Sequence, residues 1–317
     1  MHLIIGASGQ VGGALLGALN ESGLDCLGTY HKNNPLSFDG EDAGSEAVLG
    51  EFGGPGSTRS AAAAFVRLDL GDGDAIKELL QQIRPSHIYL PASYTNVDGC
   101  EADPGLSSLI NVEAVKRVIA CAGDADLIYF SSDYVFDGEA GPYGEDEPTA
   151  PISVYGRHKV EAEALLASSG LNSLIVRTTV VFGPERQGKN FVLRLIKTLA
   201  GGDEIAVPDD QVGTPTYNRA LAHTVLELVK RNESGIFHVA GEESCSRYEL
   251  ALAVADAFDL DQNLIVPVST DMLDQKAARP LRAGLKVDKV RHLLGKKAQL
   301  TGFREALAEL RLIAEAD

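Results

Sequence analysis

Cysteine is scarce in this chain, and its spacing excludes two classes at once. Cys26, Cys100, Cys121 and Cys245 include no C-x-x-C pair, so neither a zinc site nor a disulfide framework is written in them. They read as buried or scattered thiols of a reducing compartment. Basic residues are also in deficit. Lys and Arg number 28 against 45 Asp and Glu, a formal net charge of −17. A surface so negative repels nucleic acid and anionic lipid. It still admits an anionic small molecule, because a pocket can be locally basic. No apolar run is long enough to span a bilayer. The run His2–Gly6 is short and leads straight into glycines, so no secretory leader is expected. No metal-ligand spacing and no internal repeat is visible. The expectation is a cytoplasmic protein that handles a small molecule, with no nucleic-acid or membrane partner and a homodimer left open.

What is present is 317 residues, 44% of them apolar, enough for one large core and a smaller lobe. Short apolar runs predict strands at His2–Ile5, Leu24–Tyr30, Phe65–Leu68, Ser86–Leu90, Leu127–Phe130 and Leu174–Val176. Between them, helical spacing predicts helices near Gln10–Ser22, Asp74–Arg84, Leu106–Ala122 and Val154–Ser168. This alternation implies a Rossmann-type, doubly wound α/β fold with a parallel sheet covered on both faces. Residues 1–183 form the expected dinucleotide-binding domain, completed by about 217–240. Residues 184–317 form mainly a smaller C-terminal substrate lobe. The Gly-, Ser- and acid-rich stretch Asn33–Ala64 reads as a mobile surface insertion.

Gly6-Ala7-Ser8-Gly9-Gln10-Val11-Gly12 joins the first strand to the first helix. Gly6 permits the tight turn, Gly9 lets a pyrophosphate approach the backbone, and Gly12 lets helix and strand pack closely. The helix N-terminus then offers free N–H groups to phosphate. A carboxylate ending the second strand would bind the ribose 2′-hydroxyl of NAD. Here that strand ends Tyr30-His31-Lys32, so NADP(H) is preferred, with NAD(H) an option and a plain solvated loop the blander reading. Asp69, followed by Leu70, is placed to accept from the adenine amine or to cap a helix. Tyr155 and Lys159 share one helix face. A lysine cation beside a tyrosine lowers its pKa and suits it to general acid catalysis on a carbonyl. Ser131 and Ser132 end the fifth predicted strand, where open α/β sheets place their ligands. Ser132 can hydrogen-bond a carbonyl or merely cap a turn.

With these residues in view, the chain resembles the extended short-chain dehydrogenases/reductases. Within them it resembles the dTDP-4-dehydrorhamnose reductase, or sugar-nucleotide-binding, family. The resemblance rests on Gly6–Gly12, Tyr94-Thr95-Asn96-Val97-Asp98, Ser131–Gly138, Tyr155–Lys159, Asp210–Thr216 and Arg279-Pro280. It implies NADPH-dependent reduction of a 4-keto-6-deoxy sugar nucleotide. Tyr155 would be the proton donor, Lys159 would bind the nicotinamide ribose and tune Tyr155, Ser132 would orient the carbonyl, and Asn111 would hold the geometry. Ser8, Gln10, Val11 and Pro91-Ala92-Ser93 would lie against the cofactor. Tyr94, Asp133, Tyr134, Asn190, Thr214, Pro215 and Arg279 would face the sugar nucleotide, although Arg279 also reads as a surface ion pair. Such reductases often carry Trp after the sixth strand; this chain has none and holds Thr179 there. The chain also resembles the regulatory β subunit of methionine adenosyltransferase, which implies a catalytically silent alternative. Asp133, where that subunit has Asn, favours the reductase.

Overall fold

The computed structural model describes residues 1–33, 48–51 and 62–316. Seven strands run in chain order: β1 His2–Ile4, β2 Cys26–Tyr30, β3 Val48–Glu51, β4 Ala62–Arg67, β5 His87–Leu90, β6 Asp126–Ser132 and β7 Ser173–Thr178. With Gly235–His238 they form one sheet, ordered Gly235–His238, β7, β6, β5, β1, β2, β4, β3. All neighbours are parallel except β3 and β4. The chain therefore winds outward in both directions from β1. The switch point falls between β1 and β5, at whose carboxyl ends a ligand crevice forms.

Alternating side chains explain why helices cover both faces. Leu3 and Ile5 join one core with Leu127, Tyr129 and Ile175, while Ile4 joins the other with Ile128, Phe130, Leu174 and Val176. A one-residue slip of β1 would exchange the two sets. Each buried Leu or Ile is worth roughly 1.5–3 kcal/mol, so register is strongly specified. Helices Gln10–Glu21 and Asn218–Lys230 cover the face of Ile4; Gly73–Ile83, Ala114–Cys121 and Val154–Ser168 cover the face of Leu3 and Ile5. A third core joins helices Phe191–Ala200, Arg247–Ala257 and Phe303–Ala316, with Ile205–Pro208 paired to Ile265–Val268.

Three features depart from the sequence reading. The helix expected over Leu106–Ala122 is built from Pro104–Ser108, a π turn at Leu109–Glu113, and Ala114–Cys121. Strand Ile265–Val268 and helix Asp288–Leu294 carried no clear periodicity and were not anticipated. The Asn33–Ala64 insertion lies mostly outside the described residues, but its Val48–Glu51 backbone pairs antiparallel with β4. Among the described residues no helix is long and apolar enough to cross a membrane, and no group of three His, Cys, Asp or Glu could hold a metal.

Candidate active site

The loop after β1 is shaped by what its glycines exclude. Gly6 has φ +99°, and a Cβ there would lie 2.7 Å from Ala92 Cβ. A Cβ on Gly12 would lie 2.1 Å from Gly6 O. Gly9 caps helix Gln10–Glu21 without a side-chain bond, and the first turn holds no acid. Its leading N–H groups are thus available to an anion. Gln10 Nε2 is buried without a partner in the same place. Thr29, not singled out in the sequence, fixes the cradle: its Oγ1 accepts from Gly6 N at 3.0 Å and its carbonyl from Ala7 N at 2.8 Å. Ser8 O accepts from Gln187 Nε2 at 2.9 Å, and Val11 packs inward on the core. These residues fit a dinucleotide phosphate.

At the end of β2, Tyr30 is buried, while His31 and Lys32 are exposed. His31 Nε2 lies 3.4 Å from Asp69 Oδ2, and Arg67 Nε donates to His31 O at 3.2 Å. Arg67 is therefore a third basic residue at this corner, one the sequence reading missed because it precedes Asp69 on a different strand. Asp69 Oδ1 accepts from Gly71 N at 2.8 Å, and Leu70 packs against the core of Leu3 and Ile5. The helix cap offered as an alternative for Asp69 belongs to Asp72.

Tyr155 and Lys159 lie on one buried face of helix Val154–Ser168, which Ser153 caps through Gly156 N at 3.1 Å. Lys159 Nζ donates to Phe130 O at 2.9 Å and stands 5.6 Å from the Tyr155 ring centre. The expected lowering of the Tyr155 pKa by this lysine is not what the structure gives. Burial raises the Tyr155 phenol, and Asp133, Tyr134 and Cys100 add to the rise; a hydrogen bond with Ser132 works against it. Burial also draws Lys159 down to about 7, against the pull of Glu163 and Cys100. Desolvation outweighs the lysine's field here. The Tyr155 phenol therefore keeps its proton at neutral pH.

Ser132 Oγ donates to Asp133 Oδ1 at 2.9 Å, and Thr179 Oγ1 donates to the other carboxylate oxygen. Burial pushes Asp133 up to about 6 despite both bonds. Tyr134 meets Tyr155 edge-on at 5.6 Å between ring centres. Gly156 makes this approach possible, since a Cβ there would lie 2.1 Å from Tyr134 O. Asn111, inside the π turn, accepts from Ser93 Oγ at 2.7 Å and Tyr94 N at 2.8 Å and donates to Tyr94 O at 3.1 Å. It fixes the segment following Pro91 and Ala92. Irregular helical turns of this kind often mark functional sites.

The lobe residues divide. Arg279 donates Nη2 to Asp98 Oδ2 at 2.6 Å, a pairing only 10% exposed on the arginine side rather than a surface pair. A Cβ on Gly138 would lie 2.5 Å from Pro280 Cα, so the Asp133–Gly138 loop and the Arg279 segment are pressed together. Thr214 and Pro215 are wholly buried, with Thr214 Oγ1 accepting from Leu285 N at 3.1 Å. Asn190, expected at the substrate, caps helix Phe191–Ala200 through Leu193 N at 3.0 Å and donates to Gly183 O at 3.0 Å. Its amide is occupied by the fold. A buried pair, Glu163 and Arg177, joined at 2.9 and 2.7 Å, continues the Tyr155–Lys159 face and was likewise missed. A groove of about 710 Å³ among Leu252, Ala257, Leu307 and Leu312 lies elsewhere and includes none of these residues.

A family model described as the RmlD substrate binding domain matches residues 1–314. The chain is 31% identical over 298 residues to a probable low-salt glycan biosynthesis reductase of Haloferax volcanii, covering 92% of this chain and 91% of that one. It is 33% identical over 254 residues to the methionine adenosyltransferase 2 subunit beta of Xenopus tropicalis, covering 77% and 76%. Among solved structures, the dTDP-4-dehydrorhamnose reductase of Bacillus anthracis in complex with NADP superposes with TM-score 0.81 at 29% identity, covering 98% of each chain. That of Clostridium acetobutylicum gives 0.79 at 27%, covering 99% of each.

Proposed function

The chain belongs to the RmlD substrate-binding family, and from that premise we propose that it is an NADPH-dependent reductase of a 4-keto-6-deoxy sugar nucleotide with Tyr155 as proton donor. The observation that carries this reading is the meeting of Tyr155, Lys159 and Ser132 at the carboxyl end of β6, one strand from the switch point and its glycine cradle. The reading is supported by the Bacillus anthracis structure in complex with NADP and by two bacterial relatives named as a dTDP-4-dehydrorhamnose reductase and a probable dTDP-4,6-dihydroxy-2-methyloxan-3-one 4-ketoreductase.

Gly6, Gly9, Gly12 and Gln10 would hold the dinucleotide phosphates, Pro91, Ala92 and Ser93 its inner half, and His31, Lys32 and Arg67 a 2′-phosphate. Asp69 would accept from the adenine. The cofactor, when bound, supplies the hydride. Ser132 Oγ orients the sugar carbonyl, and Tyr155 delivers its phenolic proton to the carbonyl oxygen. Lys159 binds the nicotinamide ribose, and its charge then favours the phenolate that Tyr155 leaves behind. Asp133, Tyr134, Tyr94 and Arg279 face the sugar nucleotide. Residues 1–183, completed by about 217–240, would form the NADP domain and 184–317 mainly the substrate lobe.

NADPH oxidation against a panel of dTDP- and UDP-linked 4-keto-6-deoxy sugars tests the reading. A second reading, a silent regulatory subunit, draws support from the beta-subunit relatives. It gains if the chain binds NADPH and a methionine adenosyltransferase catalytic subunit yet oxidises no NADPH with any keto sugar.

A further inference from the structure

Helix Val154–Ser168 carries His158 beside Tyr155 and Lys159, one turn on from the tyrosine. No step of the proposed reaction uses it. The ring is half-buried, and its Nδ1 stands 2.8 Å from Ser107 Oγ. Ser107 is wholly buried in helix Pro104–Ser108, one turn before Asn111. Asn111 Nδ2 donates to Ser107 Oγ at 3.3 Å. A line of hydrogen bonds thus runs from a half-exposed imidazole, through a buried hydroxyl, to the amide that fixes Ser93 and Tyr94.

The chemistry of the three groups gives this line one direction. Tyr94 N donates to Asn111 Oδ1 at 2.8 Å, and Tyr94 O accepts from Asn111 Nδ2 at 3.1 Å. A backbone N–H can only donate and a carbonyl only accept, so Tyr94 settles which end of the amide is which. The amino group faces Ser107, whose oxygen must then accept. The Ser107 proton goes to His158 Nδ1, which accepts only in a neutral ring protonated at Nε2. Burial favours that state by lowering the His158 pKa; Glu161 opposes the fall and Arg157 adds to it. A helical serine without such an acceptor turns to the carbonyl one turn back, here that of Asp103. That rotamer would carry its oxygen away from Asn111.

We propose that His158 is a positioning residue of the reduction: acting through Ser107, it holds the Asn111 amide and with it the Ser93–Tyr94 segment. This rests on the reductase reading above, in which Ser93 lies against the dinucleotide and Tyr94 faces the sugar nucleotide.

Two substitutions separate the acceptor from the ring. His158→Phe keeps a flat ring without an acceptor, whereas His158→Asn offers an amide oxygen at the position of Nδ1. Hydrogen exchange of the Tyr94 backbone amide, read by NMR, reports the hold of Asn111. The Ile5 amide, which donates to Tyr89 O at 2.8 Å, reports the sheet. In His158→Phe the Tyr94 amide should exchange about tenfold faster, the scale of one hydrogen bond, with Ile5 unchanged. The kcat for NADPH oxidation by a keto-sugar nucleotide should fall about fivefold in the same variant. His158→Asn should match the wild type in both readouts. In a Ser107→Ala chain, His158→Phe should change neither further, because the line is already cut. Wild-type Tyr94 exchange in His158→Phe, or a His158→Asn variant as impaired as His158→Phe, overturns the proposal and leaves the reductase reading standing. A wild type that oxidises no NADPH with any keto sugar overturns the reductase reading, and the proposed part of His158 in it. Should His158→Phe fail to fold, Ser107→Ala alone cuts the same line, and unchanged Tyr94 exchange there overturns the proposal.

Discussion

Gly12 and Gly13 are adjacent in one helix, yet an added methyl group should act in opposite directions at the two. At Gly12 the new Cβ would sit 2.1 Å from Gly6 O and 2.8 Å from Ala7 Cα. Both distances fall well inside the roughly 3.5 Å at which carbon contacts become favourable. The obstructing atoms are backbone, so no rotamer change relieves them and the cradle itself must move. Such overpacking costs about 1–3 kcal/mol, offset by up to ~1 kcal/mol from replacing a helical glycine with alanine. The larger effect is on binding. Moving Gly6–Gly9 misaligns the N–H groups that would meet the dinucleotide phosphates. Each charge-assisted bond lost is worth about 1.5–3 kcal/mol, or roughly tenfold to a hundredfold in Kd. At Gly13 the nearest atom is Ala7 O at an ordinary 3.6 Å, so the propensity gain is unopposed. Gly13→Ala should raise the melting temperature by about 2–4 °C and leave NADPH affinity unchanged. Thermal melts and NADPH fluorescence titration of the two variants are the assay. Wild-type NADPH affinity in Gly12→Ala would refute the steric argument and the placement of the cofactor in this cradle.

Lys159→Met should stabilise the protein while removing its activity. Burial lowers Lys159 from 10.5 to about 7, so between pH 7 and 10.5 the unfolded chain holds a proton the folded chain has released. Stability then rises with pH across that window, and the penalty is greatest below pH 7. The variant should melt higher than wild type at pH 6, the gap closing towards pH 10; a lower melting temperature at pH 6 contradicts this. Arg177→Met strands the Glu163 carboxylate in the core and should cost about 3–5 kcal/mol in urea unfolding, with Glu163→Gln in the same chain restoring part of it. Failure of the second change to restore anything would mean the loss is one of packing around Phe136. Lys32→Ala and Arg67→Ala should each weaken NADPH several-fold and NADH hardly at all, and equal losses for both dinucleotides would assign these cations to solvent.

The parallel sheet was legible because each of its central strands is an apolar run buried on both faces, as at Leu127–Phe130. The cradle was legible because Gly6 and Gly12 have no substitute at their positions. The Tyr155–Lys159 face was legible from its four-residue spacing. What stayed hidden depends on contacts between segments distant in sequence. Asn190 looked like a ligand-facing amide because nothing local shows that Gly183 and Leu193 occupy it. Arg247 gave no local signal of its surroundings, since only the pairing of Val212 with Ser246 brings its segment towards Tyr134 and Asp133. The pKa of Tyr155 was misjudged for a physical reason. The sequence displays the lysine and its charge, whereas burial, which dominates both groups, follows from the packing of Cys100, Val154 and Tyr155. The Asp210–Thr216 segment was picked out by resemblance, but its part in the fold, tying Asp210 to Thr270 and Val212 to Leu281, appears only in three dimensions.

The account stands on Tyr155 as the acid of a keto-sugar nucleotide reduction. Tyr155→Phe keeps the ring against Tyr134 and removes only the hydroxyl, so NADPH binding should survive. Single-turnover oxidation of bound NADPH by a 4-keto-6-deoxy sugar nucleotide at fixed pH is the direct measurement. The rate in Tyr155→Phe should fall by about 10²–10⁴-fold, the scale of losing a general acid. A variant as fast as wild type would mean that the proton comes from elsewhere and that this site is wrongly assigned.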